Sequence, residues 1–155
     1  MKKRYSILVL AFFLMALVSC EKTKEAKQVS TTGEEKEGIV GTWLLVYGET
    51  RTGDSIEIKD LSNTEFIKIL NKDHFAFFNQ VKDTAVGFYG GGGSYTLDGK
   101  NYVEQLDYIG LKELRGEVFT FTLEVKGDTL IQSGIEDVPE ANIKRHIVEK
   151  YIRLK

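Results

Sequence analysis

Asp98-Gly99 separates two runs of alternating side chains, residues 94–97 and 102–108, and Gly127-Asp128 separates residues 117–125 from 129–132. A two-residue turn joins antiparallel neighbours, and a type I′ turn needs positive φ at both central positions, which Asp-Gly supplies. The segment Asn71-Lys72-Asp73-His74 reads as a third short turn, between residues 65–70 and 75–81. Further strands are expected over residues 39–47, 85–89 and 146–154. One proline interrupts the whole chain, and no long helical period offers a crossover. Eight or nine short strands, mostly antiparallel to their sequence neighbours, predict an all-β domain. An up-and-down barrel of about eight strands is the leading architecture, since it leaves no free edge. A two-sheet sandwich is the alternative. Residues 106–114 have room for a single helical turn.

The domain occupies residues 38–155, and what precedes it has a different character. Lys2, Lys3 and Arg4 form a basic start, and residues 7–18 are an unbroken apolar run. Twelve residues are too few to span a bilayer but fit the core of a secretory signal. The run closes on Leu17-Val18-Ser19-Cys20, which resembles a bacterial lipobox. That resemblance implies cleavage after residues 1–19, acyl chains on Cys20 and a cell-envelope location, with the membrane as partner. Cys20 is the chain's one cysteine, so an internal disulfide is excluded. Residues 20–37 then read as a lipidated cysteine and a flexible tether, because from residue 21 they carry no aromatic and only two apolar side chains, Ala26 and Val29. Without residues 1–19, 18 basic residues face 23 acidic ones. A phosphate backbone finds no basic stripe there, so nucleic acid is not an expected partner.

Gly41-Thr42-Trp43 at the head of the first strand resembles the G-x-W motif of lipocalins, and Arg153 matches the arginine that those proteins pack across the tryptophan. An indole face attracts a guanidinium, so the pairing would staple the first strand to the last. The stretch GGGGSYTLDGKNYVEQLDY, with the preceding DHFAFF, is similar to a family of lipocalin-like lipoproteins of unknown function from Gram-negative bacteria. The likeness runs from Gly41 to Arg153. It implies a lipocalin-like barrel that holds a small, mostly apolar ligand.

The four glycines Gly90 to Gly93 invite comparison with phosphate-binding loops, and the comparison fails. Gly93 and Gly99 are six apart, Lys100 is followed by Asn101, and Tyr95 stands where a dinucleotide fingerprint needs glycine. Both motifs must also open a helix, whereas a strand and a hairpin follow here. The run is expected either to bend a barrel or to open one. Catalytic and metal-binding constellations are not evident: the domain has two histidines, His74 and His146, and no nucleophile elbow. No enzymatic role, metal or cofactor is expected.

Glu104 stands out among the side chains. On residues 102–108, Tyr102, Glu104, Leu106 and Tyr108 share the more apolar face, so period two turns Glu104 inward. A buried carboxylate needs a partner, and His74, Arg153 or a tyrosine hydroxyl are candidates. Phe77, Tyr102, Glu104, Tyr108 and Phe121 are therefore the expected ligand-binding set. Phe75, Phe77, Phe119 and Phe121 alternate with their neighbours at strand period, and core packing is the alternative for most of the four. The competing reading is a filled barrel that binds a protein through loops 51–60 or 135–142.

Overall fold

The computed structural model describes residues 38–155. The expected signal sequence, Cys20 and the tether fall on residues 1–37, outside the described residues. Nine strands form one antiparallel sheet: β1 Gly41–Thr52, β2 Ser55–Ile58, β3 Thr64–Leu70, β4 His74–Val81, β5 Tyr89–Asp98, β6 Asn101–Ile109, β7 Val118–Lys126, β8 Thr129–Val138 and β9 Ile143–Arg153. Each strand from β3 to β9 pairs with the next, and β1 pairs with both β3 and β9. The sheet thereby closes on itself as an eight-stranded barrel, not a sandwich. β2 is a ninth strand outside the ring, folded back on the far half of β1. Closure pairs every strand of the wall and removes the exposed edges that a flat sheet would present.

The long β1 makes this closure possible. Its first residues, Gly41 to Leu44, pair with Leu70 to Ile67 of β3, and its last four with β2. Along its other edge it follows β9 from Trp43↔Arg153 to Arg51↔His146, with a bulge between Leu45 and Tyr47. Thr64 and Phe66 are consequently bonded to β4 and not to β1. The wall parts there, towards the upper end.

The lower end is packed with buried side chains, apart from a cleft of about 340 Å³ beside Ile39, Leu97 and Leu123. Tight turns close β3–β4, β5–β6 and β7–β8, and Trp43, Leu70, Tyr102 and Leu130 are fully buried among them. Arg153 lies across Trp43, its guanidinium carbon 4.1 Å from the ring centroid. The guanidinium also donates to the carbonyls of Val40 at 2.7 Å and Gly38 at 2.5 Å, while the indole N–H donates to Ile39 O at 2.8 Å. Gly41 sits between them at φ +152°, where a Cβ would come within 2.4 Å of the Arg153 guanidinium. One arginine thus holds the entering chain, the tryptophan and the last strand together at the seam.

Three segments differ from expectation. Residues 85–88 are turn rather than strand, because Gly87 takes φ +84° and the ladder of β5 begins at Tyr89. Residues 51–60 hold the β1–β2 hairpin in place of an open loop. Residues 135–138 extend β8, paired with β9 up to Val138↔Ile143. There the usual pattern is inverted, since Glu136 turns inward while Ile135 is exposed, so alternation could not identify the strand.

The glycine run lies in the middle of the wall, between β4 and β6. A Cβ on Gly92 would meet Phe75 O at 2.5 Å, and one on Gly93 would meet Gln105 O at 1.8 Å. Neighbouring backbones approach here more closely than any side chain permits. Gly93 pairs with Leu106 but Gly92 pairs with Tyr108, which leaves Asp107 as the extra residue of a β-bulge. The run therefore bends the barrel. The bulge also reverses the parity of β6: Ile109 takes the inward place, and Tyr108 faces outward at 72% exposure. The expectation that Tyr108 shares the inner face of Glu104 is corrected by that one inserted residue.

Candidate functional site

Above the packed base the barrel is hollow, enclosing a cavity of about 560 Å³. That lies within the range of about 300–1,000 Å³ typical of small-molecule sites. Phe66, Phe77, Phe119, Phe121 and Ile147 belong to its wall, and Gly90 leaves bare backbone there. Phe88, Tyr89, Leu111, Leu114 and Ile143 ring the upper end. The 3₁₀ turns Lys112–Leu114 and Pro139–Ala141 meet there, in the loops that join β6 to β7 and β8 to β9.

The floor of the cavity is polar. Lys68 of β3, Glu104 of β6 and Gln132 of β8 point inward from three parts of the ring, and are 3%, 7% and 2% exposed. The Lys68 ammonium donates to Glu104 Oε1 and, at 2.6 Å, to Gln132 Oε1. The rings of Phe75 and Tyr102 flank the same ammonium at 5.4 and 5.2 Å from their centroids. Burial of a charge is tolerated only with such pairing, because an isolated ion loses its hydration without compensation. Lys68 is the partner of Glu104. His74 is exposed at the start of β4, 2.7 Å from Asp73, and Arg153 is engaged at Trp43. Tyr102 lies beneath the floor, wholly buried, and its hydroxyl pKa is pushed well up by burial and then by the Glu104 carboxylate.

Two further polar pairs stand on β8 and β9 above the floor. Glu149, cross-strand from Gln132, accepts the Tyr151 hydroxyl at 2.6 Å. Arg145 donates to Glu136 at 2.5 Å nearer the mouth. Of the residues expected from sequence, Phe77, Glu104 and Phe121 line one cavity, Tyr102 supports its floor, and Tyr108 lies outside. Lys68, Gln132, Glu149, Tyr151 and Phe66 escaped notice. In β3 the outward positions Ile67 and Ile69 are as apolar as the inward Phe66 and Leu70, so parity alone gave Lys68 no direction. The single signal available was that Glu104, once turned inward, required a cation.

Among the described residues no group of three or more histidine, cysteine, aspartate or glutamate side chains is placed to hold a metal ion. No family model matches the chain, and no curated protein matches it.

Burial pushes the Glu149 carboxyl above its ordinary pKa, and the Lys68 ammonium and Tyr151 hydroxyl draw it back only in part. Such a group keeps in the folded state a proton that the unfolded chain has released, so stability falls as pH rises through that window. Glu149→Gln has no proton to lose. Its urea midpoint is expected to gain on that of the wild type as pH rises above the unfolded glutamate pKa of about 4.3. An unchanged difference between the two proteins across that range would show that Glu149 titrates normally.

Proposed function

We propose that this chain is a lipid-anchored, lipocalin-like protein of the cell envelope, attached through Cys20, that binds a small, mostly apolar ligand inside its barrel without transforming it. The observation that carries this reading is the half-filled interior. A barrel whose only task was structural would fill both halves with side chains, as this one fills its lower half. Here the upper half is a chamber of mainly aromatic and aliphatic side chains, with Glu136, Arg145 and Glu149 on one wall, over a floor of mutually satisfied polar groups. In such an arrangement shape supplies affinity and a few polar atoms supply orientation. The same hollow speaks against a filled barrel that serves only as a protein-interaction module. The anchor rests on the sequence around Cys20 alone.

Native mass spectrometry of the full-length protein, purified from its own host in mild detergent, tests both parts. A stoichiometric small-molecule adduct on the folded barrel, and acyl mass on Cys20, are the expected results. A folded protein that carries no adduct and takes up no apolar probe would overturn the binding role. An unmodified Cys20 would overturn the anchor.

A further inference from the structure

The charges inside the barrel do not balance. Lys68 is matched by Glu104, and Arg145 by Glu136. Glu149 also faces the cavity, receives one hydrogen bond from Tyr151, and has no lysine or arginine within ion-pair distance among the described residues. Its raised pKa is what an unmatched carboxyl in such a place experiences. Beside it stands a continuous aromatic wall. Phe66 lies 6.3 Å from Tyr151, 5.6 Å from Phe77 and 6.4 Å from Tyr89, centroid to centroid. The rim end of this wall already attracts a cation: the Lys59 ammonium sits 5.8 Å from the Phe66 centroid and 5.7 Å from that of Tyr89.

We propose that the ligand is a cationic amphiphile, an amine with an apolar body. Its ammonium would sit between Glu149 and the ring faces of Phe66 and Tyr151, and its body would run along Phe77 and Phe119 towards the mouth. The inference rests on the cavity being a ligand site at all. An ammonium there displaces the Glu149 proton to solvent, donates a charge-assisted hydrogen bond to the resulting carboxylate, and meets the rings in a cation–π contact. A carboxylate head in the same position would face Glu149 and Glu104, with Lys68 already shared and Lys59 standing at the rim. The cavity thus selects by the sign of the head group as well as by the length of the tail.

Decylamine, decanol and decanoate share one tail and differ in head, so calorimetric titration of each into the full-length protein separates the contributions. Decylamine is expected to bind at least about tenfold more tightly than decanoate, with decanol between them. Glu149→Gln keeps an acceptor for Tyr151 and is expected to reduce the preference for amine over alcohol about tenfold. Phe66→Leu, which keeps an apolar side chain but removes the ring face, is expected to weaken the amine about threefold relative to the alcohol. Binding of decanoate as tight as that of decylamine, or an amine preference that survives both substitutions, would overturn this inference while leaving the binding role intact. If none of the three probes binds to a barrel that still unfolds cooperatively, the binding role itself falls.

Discussion

Lys68→Met is expected to lower the stability of the domain by about 3–5 kcal/mol, read as a shift of the urea midpoint with an unchanged slope. Methionine nearly matches the lysine stem in length and packs against Phe75 and Tyr102, so lost volume contributes little. The cost comes from what remains. Glu104, 7% exposed, loses the ammonium that donates to it, and Gln132 loses the same donor at 2.6 Å. An uncompensated carboxylate in that position must be desolvated alone or take up a proton. The double substitution Lys68→Met with Glu104→Gln removes the stranded charge and is expected to recover more than half of the loss, since a buried ion pair contributes little beyond a neutral replacement of the same shape. If the double variant is as unstable as the single one, the floor is held by packing rather than by its charges.

Gly93→Ala is expected to cost about 3 kcal/mol, the upper end of what overpacking usually costs. The added methyl would stand 1.8 Å from Gln105 O and 2.9 Å from the Asp107 nitrogen, and both obstacles are backbone. Side chains can move aside, but here β6 would have to withdraw from β5 at the bulge. Gly110→Ala is the matched control, since nothing lies within 4 Å of its Cβ and its φ is not positive. Thermal unfolding of both variants decides the matter. Equal melting temperatures for the two would mean that the glycines are present for flexibility and not for close approach.

The fold class was legible because hairpin chemistry is local. Both turns form, and Gly99 and Gly127 take φ of 57° and 61° as their first residues. The first turn is nevertheless Gly99-Lys100 and not Asp98-Gly99, since Asp98 pairs with Asn101 as the end of β5, and neither turn has the positive φ at both positions that a type I′ turn needs. Glu104 could be turned inward from its neighbours alone, since Tyr102 and Leu106 share its face within five residues. Its partner could not be named. Lys68 is 36 positions away and Gln132 another 64 from Lys68, and nothing within β3 or β8 marks either as inward. Tyr108 was misplaced for a related reason. Period two holds only while pairing is regular, and the bulge that breaks it arises where Gly92 and Gly93 bring two other strands too close for a side chain.

By itself, then, the sequence determined the antiparallel hairpins, the all-β class and the presence of a carboxylate that needed a partner, all of them consequences of short-range periodicity and turn geometry. Tertiary structure alone decided the register in which the strands close, that the upper half of the barrel stays hollow, and which cation meets which carboxylate. Those outcomes depend on strand register and on the volume enclosed when eight strands are tilted into a ring, quantities shared among distant residues and carried by none of them singly.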